Sequence, residues 1–165
     1  MLVGSVLGLM IRHGPDNPVY PASASSLVTN ASIPRGFFGS GGEMLITTPG
    51  STPALLDAAR RAGFPFVPGA VTSSEVLGLL ERGYLLQNFF PAEAAGGIAM
   101  LKSMAGPIPE VRFMPTGGIS ESLAAEYLDL PNVAGIGGSW IAPPGLIAAG
   151  NFVEIALRAE SASRI

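Results

Sequence analysis

From residue 43 onward the sequence repeats one plan. A short β-rich apolar run is followed by a Pro/Gly turn, a helix cap, and an apolar-periodic stretch closed by Gly. This is the pattern of consecutive βα units. "MLITTPG" leads into "STPALLDAARRAG", where Ser51 or Thr52 can cap a helix, Pro53 suits its first turn and Gly63 its end. "FPFVPGAV" leads into "TSSEVLGLLERG", with Thr72 and Glu75 at capping-box spacing and Gly83 as terminator. "YLLQNFFPAE" with "GGIAMLKSMAG", "VRFMPTGGIS" with "ESLAAEYLDL", and "VAGIGGSW" with "NFVEIALRAE" complete five units. The strands read as continuous apolar runs, as parallel strands covered by helices do.

Parallel α/β leaves two architectures, an open doubly wound sheet and a (β/α) barrel. A dinucleotide-binding fold places its glycine fingerprint after the first strand. Here the two Gly pairs, in "PTGGIS" and "GIGGSW", follow the last two strands, where barrels commonly hold a phosphate between main-chain N–H groups. The expectation is a TIM-type (β/α) barrel with an anion site at Thr116, Gly117, Gly118, Gly138 and Ser139. A closed (β/α)8 barrel usually needs more than about 200 residues, and 165 residues with five or six strands fall short of that, so the barrel is expected to be incomplete. Residues 1–42 do not follow the plan. They are rich in Pro, Ser, Gly and Asn and form an irregular segment with a possible strand at Leu2–Leu7, whereas 43–165 form the partial barrel domain.

Composition narrows the chemistry. Charged residues are only 13%, the net charge is −3, and nine basic residues are scattered, so there is no footprint for a nucleic-acid backbone or an anionic membrane. The opening "MLVGSVLGLM" is too short to span a bilayer and lacks a basic leader region. The sequence has no cysteine, which fits a cytoplasmic protein, and with His13 as its one histidine no metal or other cofactor is expected. One residue breaks the pattern of its strand. Asn88, in "LLQNFFPAE", sits inside an apolar run where an amide is costly unless paired.

At "FFPAEAAGG", "GPIPEVRFMPTGGIS" and "GIGGSWIAPP", with "TPGST" and "FPFVPGAVTSSEVL", the sequence resembles the 2-keto-3-deoxy-6-phosphogluconate aldolase family, including 4-hydroxy-2-oxoglutarate aldolase. The likeness runs over residues 43 to 165, with the clear units corresponding to strands four to eight of a (β/α)8 barrel. It implies a metal-free lyase, usually trimeric, that cleaves a phosphorylated keto sugar acid into pyruvate and glyceraldehyde 3-phosphate. It also implies a Lys immediately before "FFPAE" that condenses with the keto group, so that the imine drains electrons as the C–C bond breaks. Asn88 occupies that position, and an amide nitrogen is not a nucleophile.

Lys102, the single lysine, falls on the following helix and reads as a surface residue. The family's acid–base Glu and carboxylate-holding Arg belong to an earlier strand that cannot be recognised here. Glu93, from the family's "FPAE" motif, is the acidic residue that could lie near the mouth. Thr116, Gly117, Gly118, Gly138 and Ser139 match phosphate-binding positions by resemblance; Pro49 and Gly50 match the turn after strand four, and Phe90 a wall of the keto-acid pocket. Two functions are therefore compared: an aldolase of this family, and a non-catalytic relative or fragment that keeps only the sugar-phosphate-binding surface.

Overall fold

A computed structural model of the chain describes residues 46–63 and 66–165, together with the main chain of 8–11. The strands are β1 (Gly8–Ile11), β2 (Ile46–Thr47), β3 (Phe66–Val67), β4 (Gly69–Ala70), β5 (Leu86–Phe89), β6 (Arg112–Phe113) and β7 (Gly135–Gly138). The helices are α1 (Pro53–Ala62), α2 (Ser73–Glu81), α3 (Gly97–Ala105), α4 (Ala124–Leu128), α5 (Pro144–Ala148) and α6 (Phe152–Ala162), with a 3-10 turn at Glu121–Leu123.

The class expected from the sequence is observed, α/β with parallel pairing. β2 pairs with β3, β4 with β5 and β5 with β6, all parallel. Pro68 separates β3 from β4 because proline has no N–H to give the ladder, yet its carbonyl still accepts from Asn88 N–H at 2.8 Å. Parallel bridges at Phe113/Val133 and Thr116/Gly137 carry the order on to β7.

The amino-terminal segment departs from this plan. Leu2–Leu7, the expected strand, lies outside the described residues. The strand that is described, β1, pairs antiparallel with β7, Gly8 opposite Gly138 and Ile11 opposite Gly135. A ladder is made by main chain alone, so the open edge of β7 accepts an extended segment in either direction.

Helix ends follow local sequence closely. Thr52 accepts from Leu55 N–H and precedes Pro53, and Gly63 closes α1 at φ +70°. In α2 both halves of the capping box are present. Asn151 caps α6 by accepting from Glu154 N–H. α5, which starts within "IAPPG" and runs on to Ala148, is an additional helix that the sequence pattern did not show; Pro144 at its start is the signal.

The side chains of β5 alternate. Phe89 and Gln87 face the helical layer, where Phe89 meets Phe113 edge-on at 6.2 Å between ring centres and joins Val76, Leu79, Leu101, Met104 and Tyr127 in the core. Gln87 is buried there because its amide donates to the carbonyls of Val76 and Tyr84, both at 3.0 Å. Leu86, Asn88 and Phe90 take the other face, which positions the site described below. α6 leaves much of its apolar surface uncovered, with Phe152, Val153 and Leu157 exposed and Val153 reaching 74%.

The Glu75 carboxyl is held below its ordinary value by hydrogen bonds from the main chain and hydroxyl of Thr72 and the main chain of Val71. A depressed carboxyl contributes stability that is fully present above the unfolded-chain value, near about 4.3. That contribution is lost as pH falls through the lower folded value. Thr72→Ala is expected to cost about 1 kcal/mol in urea unfolding at pH 7, and the difference between the two proteins should shrink as the pH is lowered through that range.

Candidate functional site

The carboxyl ends of β2, β5, β6 and β7 meet at one rim, and Asn88 lies at its base. Its side chain points to the inner face of the sheet and is 2% exposed. The cost of burying this amide is met by two bonds: Asn88 Nδ2 donates to the Thr48 carbonyl at 2.8 Å, and Thr116 Oγ1 donates to Asn88 Oδ1 at 2.8 Å. One neutral side chain thus ties the end of β2 to the segment after β6.

Gly69 makes this reach possible. It lies opposite Asn88 in the ladder, and a Cβ there would sit inside the Thr48–Gly50 main chain. The turn carrying Pro49 and Gly50 folds over that vacant face, and Thr48 Oγ1 accepts from Gly69 N–H at 3.3 Å. Pro49 and Gly50 themselves are exposed.

The loop after β6 is built differently. Gly117 and Gly118 have φ of +99° and +83°, a conformation that favours glycine. Their other requirement is space. A Cβ on Gly117 would lie 3.0 Å from the Phe90 ring, and one on Gly118 would lie 2.9 Å from Glu93 Cβ. Two main-chain bonds fasten this loop to the turn after β5, Ala92 N–H to the Thr116 carbonyl at 2.8 Å and Glu93 N–H to the Gly117 carbonyl at 3.1 Å.

The N–H of a trans peptide points opposite its C=O. With both carbonyls turned to residues 92 and 93, the N–H groups of Gly117 and Gly118 face away from them, and neither donates a hydrogen bond among the described residues. Two successive main-chain N–H groups left open in a left-handed turn make an anion-binding concavity. Thr116 contributes its place in the loop rather than its hydroxyl, which is committed to Asn88.

β7 completes the rim. Gly137 N–H donates to the Pro115 carbonyl at 3.0 Å, which sets the two glycine segments side by side. Gly138 is buried and has the Trp140 indole lying where its Cβ would be. Trp140 Nε1 is a buried donor without a partner, and the neighbouring Ser139 is exposed.

The sequence-predicted residues are thus largely brought together: Asn88 with Thr116, Phe90 with Gly117, Glu93 with Gly118, and Gly138 on the adjacent strand. Lys102 is exposed on α3, in an outer groove it lines with Glu126 and Asp129. Three residues were missed by sequence reasoning. Gly69 and Thr48 act through main-chain proximity, which no motif displays. Tyr127, on α4, donates its hydroxyl to Glu93 Oε1 across 34 positions of sequence, and no local signal announces that pairing. Burial, first, and then the Glu93 carboxylate raise the Tyr127 hydroxyl above the ordinary tyrosine value.

Comparison with known proteins places this arrangement. Residues 24–157 match the family model described as KDPG and KHG aldolase. A 2-dehydro-3-deoxy-phosphogluconate aldolase of Pseudoalteromonas atlantica is 44% identical over 121 residues, which are 73% of this chain and 56% of that protein. The crystal structure of KDPG aldolase from Legionella pneumophila, with pyruvate captured at low pH as a covalent carbinolamine intermediate, is similar with a TM-score of 0.68 and 45% identity. The match covers 71% of this chain and 57% of that one. The Zymomonas mobilis ZM4 2-keto-3-deoxy-6-phosphogluconate aldolase with 3-phosphoglycerate gives 0.64 and 37%, over 72% of this chain and 56% of that one. The chain spans just over half the length of these relatives.

Asn88→Ala leaves the Thr48 carbonyl and the Thr116 hydroxyl without their partner at a buried point. At about 1 to 3 kcal/mol for each unsatisfied group, a loss of about 2 to 6 kcal/mol is expected in urea unfolding. Asn88→Asp keeps the acceptor for Thr116 but sets a carboxylate against the Thr48 carbonyl, and should be no better tolerated at neutral pH.

Proposed function

This chain belongs to the KDPG and KHG aldolase family, and on that premise we propose that its site takes the ligand of that family's carbon–carbon lyase reaction. The ligand is a phosphorylated 2-keto-3-deoxy sugar acid, cleaved to pyruvate and glyceraldehyde 3-phosphate. The observation that carries the proposal is the pair of open N–H groups on Gly117 and Gly118, beside Gly138 and Ser139 on the next strand. These groups would hold the phosphate by main-chain donors, with Thr116 fixing the loop from below. A relative's structure with 3-phosphoglycerate supports a phosphorylated acid as the ligand class. The keto-acid end would lie along Phe90, Asn88 and the Pro49–Gly50 turn.

In the same proposal β2 to β7 correspond to the last five units of an eight-unit barrel, with residues 43–165 as that domain and 1–42 as an atypical amino-terminal segment. The protein would act in the cytoplasm as a homo-oligomer, trimeric by resemblance, and the exposed Phe152, Val153 and Leu157 of α6 offer apolar surface for association. Among the described residues no helix is long and apolar enough to cross a membrane.

Cleavage by the family's route begins with an amine adding to the keto carbon. A carbinolamine, as captured in the Legionella relative, is the product of that addition. Proton uptake and loss of water then give the protonated imine that accepts the electron pair of the breaking bond. The amide of Asn88 delocalises its nitrogen lone pair into its own carbonyl and is further engaged with Thr48, so it cannot make this addition. That observation favours a second reading, in which the chain binds the phosphorylated keto acid without cleaving it.

Incubation with pyruvate and borohydride, followed by intact-mass and peptide mapping, separates the two. A stoichiometric adduct on Lys102 or on the amino-terminal amine would carry cleavage. No adduct on a folded sample is expected from the geometry at residue 88 and would leave the binding reading. Asn88→Lys alone is expected to give no turnover, because the acid–base Glu and the Arg are not recognisable in the chain; measurable turnover by that variant would overturn this expectation.

A further inference from the structure

We infer that Glu93 and Tyr127 are positioning residues that set the anion-binding loop. The inference rests on the phosphate reading of Gly117 and Gly118 given above. Glu93 leaves the β5 turn and lays its Cβ and Cγ over the Cα of Gly118, where an added Cβ would lie 2.9 and 3.1 Å from them. Its main-chain N–H takes the Gly117 carbonyl at 3.1 Å. Its carboxylate then accepts from the Tyr127 hydroxyl.

Tyr127 is fully buried, on the helix that follows the loop itself. Gly97, at the start of α3, closes the pocket from the other side. A Cβ there would lie 3.0 Å from Tyr127 Oη and 3.1 Å from Glu93 Oε1. Loop, preceding turn and following helix thus form a ring held by one carboxylate and one hydroxyl. One of the two carboxylate oxygens, Oε1, is thus held by the tyrosine hydroxyl.

A ring of this kind acts on the ligand through another group. It fixes the direction of the Gly117 carbonyl and therefore of the Gly118 N–H in the same peptide, which would face the phosphate. With the hydroxyl removed, Glu93 is released from α4, and the loop keeps its residues but loses its fixed orientation.

The test uses the full chain, inorganic phosphate as the probe, and ¹H–¹⁵N spectra that follow the Gly117 and Gly118 amides. Tyr127→Phe removes one oxygen, and Glu93→Ala, at an exposed position, serves as a second variant should the buried one fail to fold. Glu93→Gln keeps an acceptor for the tyrosine. The expected result is phosphate binding weakened about tenfold by Tyr127→Phe and by Glu93→Ala, as for the loss of one charge-assisted hydrogen bond. Glu93→Gln should recover most of that loss. A purely stabilising role would lower the unfolding midpoint of Tyr127→Phe and leave its phosphate affinity that of the parent, which would overturn the inference. If the parent chain itself fails to bind phosphate, the phosphate reading falls, and the positioning role is read from the spectra alone. Displaced Gly117 and Gly118 amides in Tyr127→Phe support it, and unmoved ones refute it.

Discussion

The side-chain amide of Asn88 holds the rim of this fold together. Parallel strands pair through their main chains along their length, but beyond the last ladder bond each chain end must be fixed by something else. Here one buried side chain offers a donor to the end of β2 and an acceptor to the segment after β6. Much of the surrounding geometry answers to that demand. Gly69 has no side chain so that the Thr48 carbonyl can approach, and Thr116 turns its hydroxyl inward, which leaves the loop above it to work by main chain alone. The open N–H groups of residues 117 and 118 go with that division of labour.

An amide rather than an ammonium at this point sets the electrical character of the rim as well as its reactivity. An ammonium brings three donors and no acceptor, so a neighbouring hydroxyl and a carbonyl would both have to receive. Asn88 is self-sufficient with one donor and one acceptor, and Thr116 gives rather than takes. The polar network is closed and neutral, with no buried charge demanding a counter-ion or a perturbed titration. A lysine at 88 would require the Thr116 hydroxyl to turn its proton away and accept, alongside the Thr48 carbonyl.

What the sequence made legible was local. Thr72 and Glu75 are three residues apart, and Thr52, Pro53 and Gly63 bracket a single helix, so hydrogen bonds closing within a turn could be read directly. Parallel pairing was legible as well, because strands covered by helices carry unbroken apolar runs. The glycine pair after β6 marked its loop, whereas the second pair, Gly137 and Gly138, expected after the last strand, falls inside β7 itself. Contacts between distant segments were not legible. The antiparallel docking of β1 on β7 is specified by main-chain groups common to every residue. Tyr127 reads as one more apolar position of a short helix until Glu93 is brought against it. Gly69 and Asn88 are each conspicuous in the sequence, yet nothing there says that the space of one is used to satisfy the other.

The indole of Trp140 gives the rim a means of being observed. It is the only tryptophan in the chain, it lies against Gly138, and its N–H is buried without an acceptor, while its own carbonyl receives Arg158 at 3.1 Å. Indole emission depends on what the ring nitrogen faces. A negative group arriving at the glycine segments would change the field along that N–H directly, with no second chromophore of the same type to obscure it. The chain therefore carries a native optical sensor at the place where its ligand is proposed to sit, and the colour and intensity of its fluorescence report the state of the rim without any label.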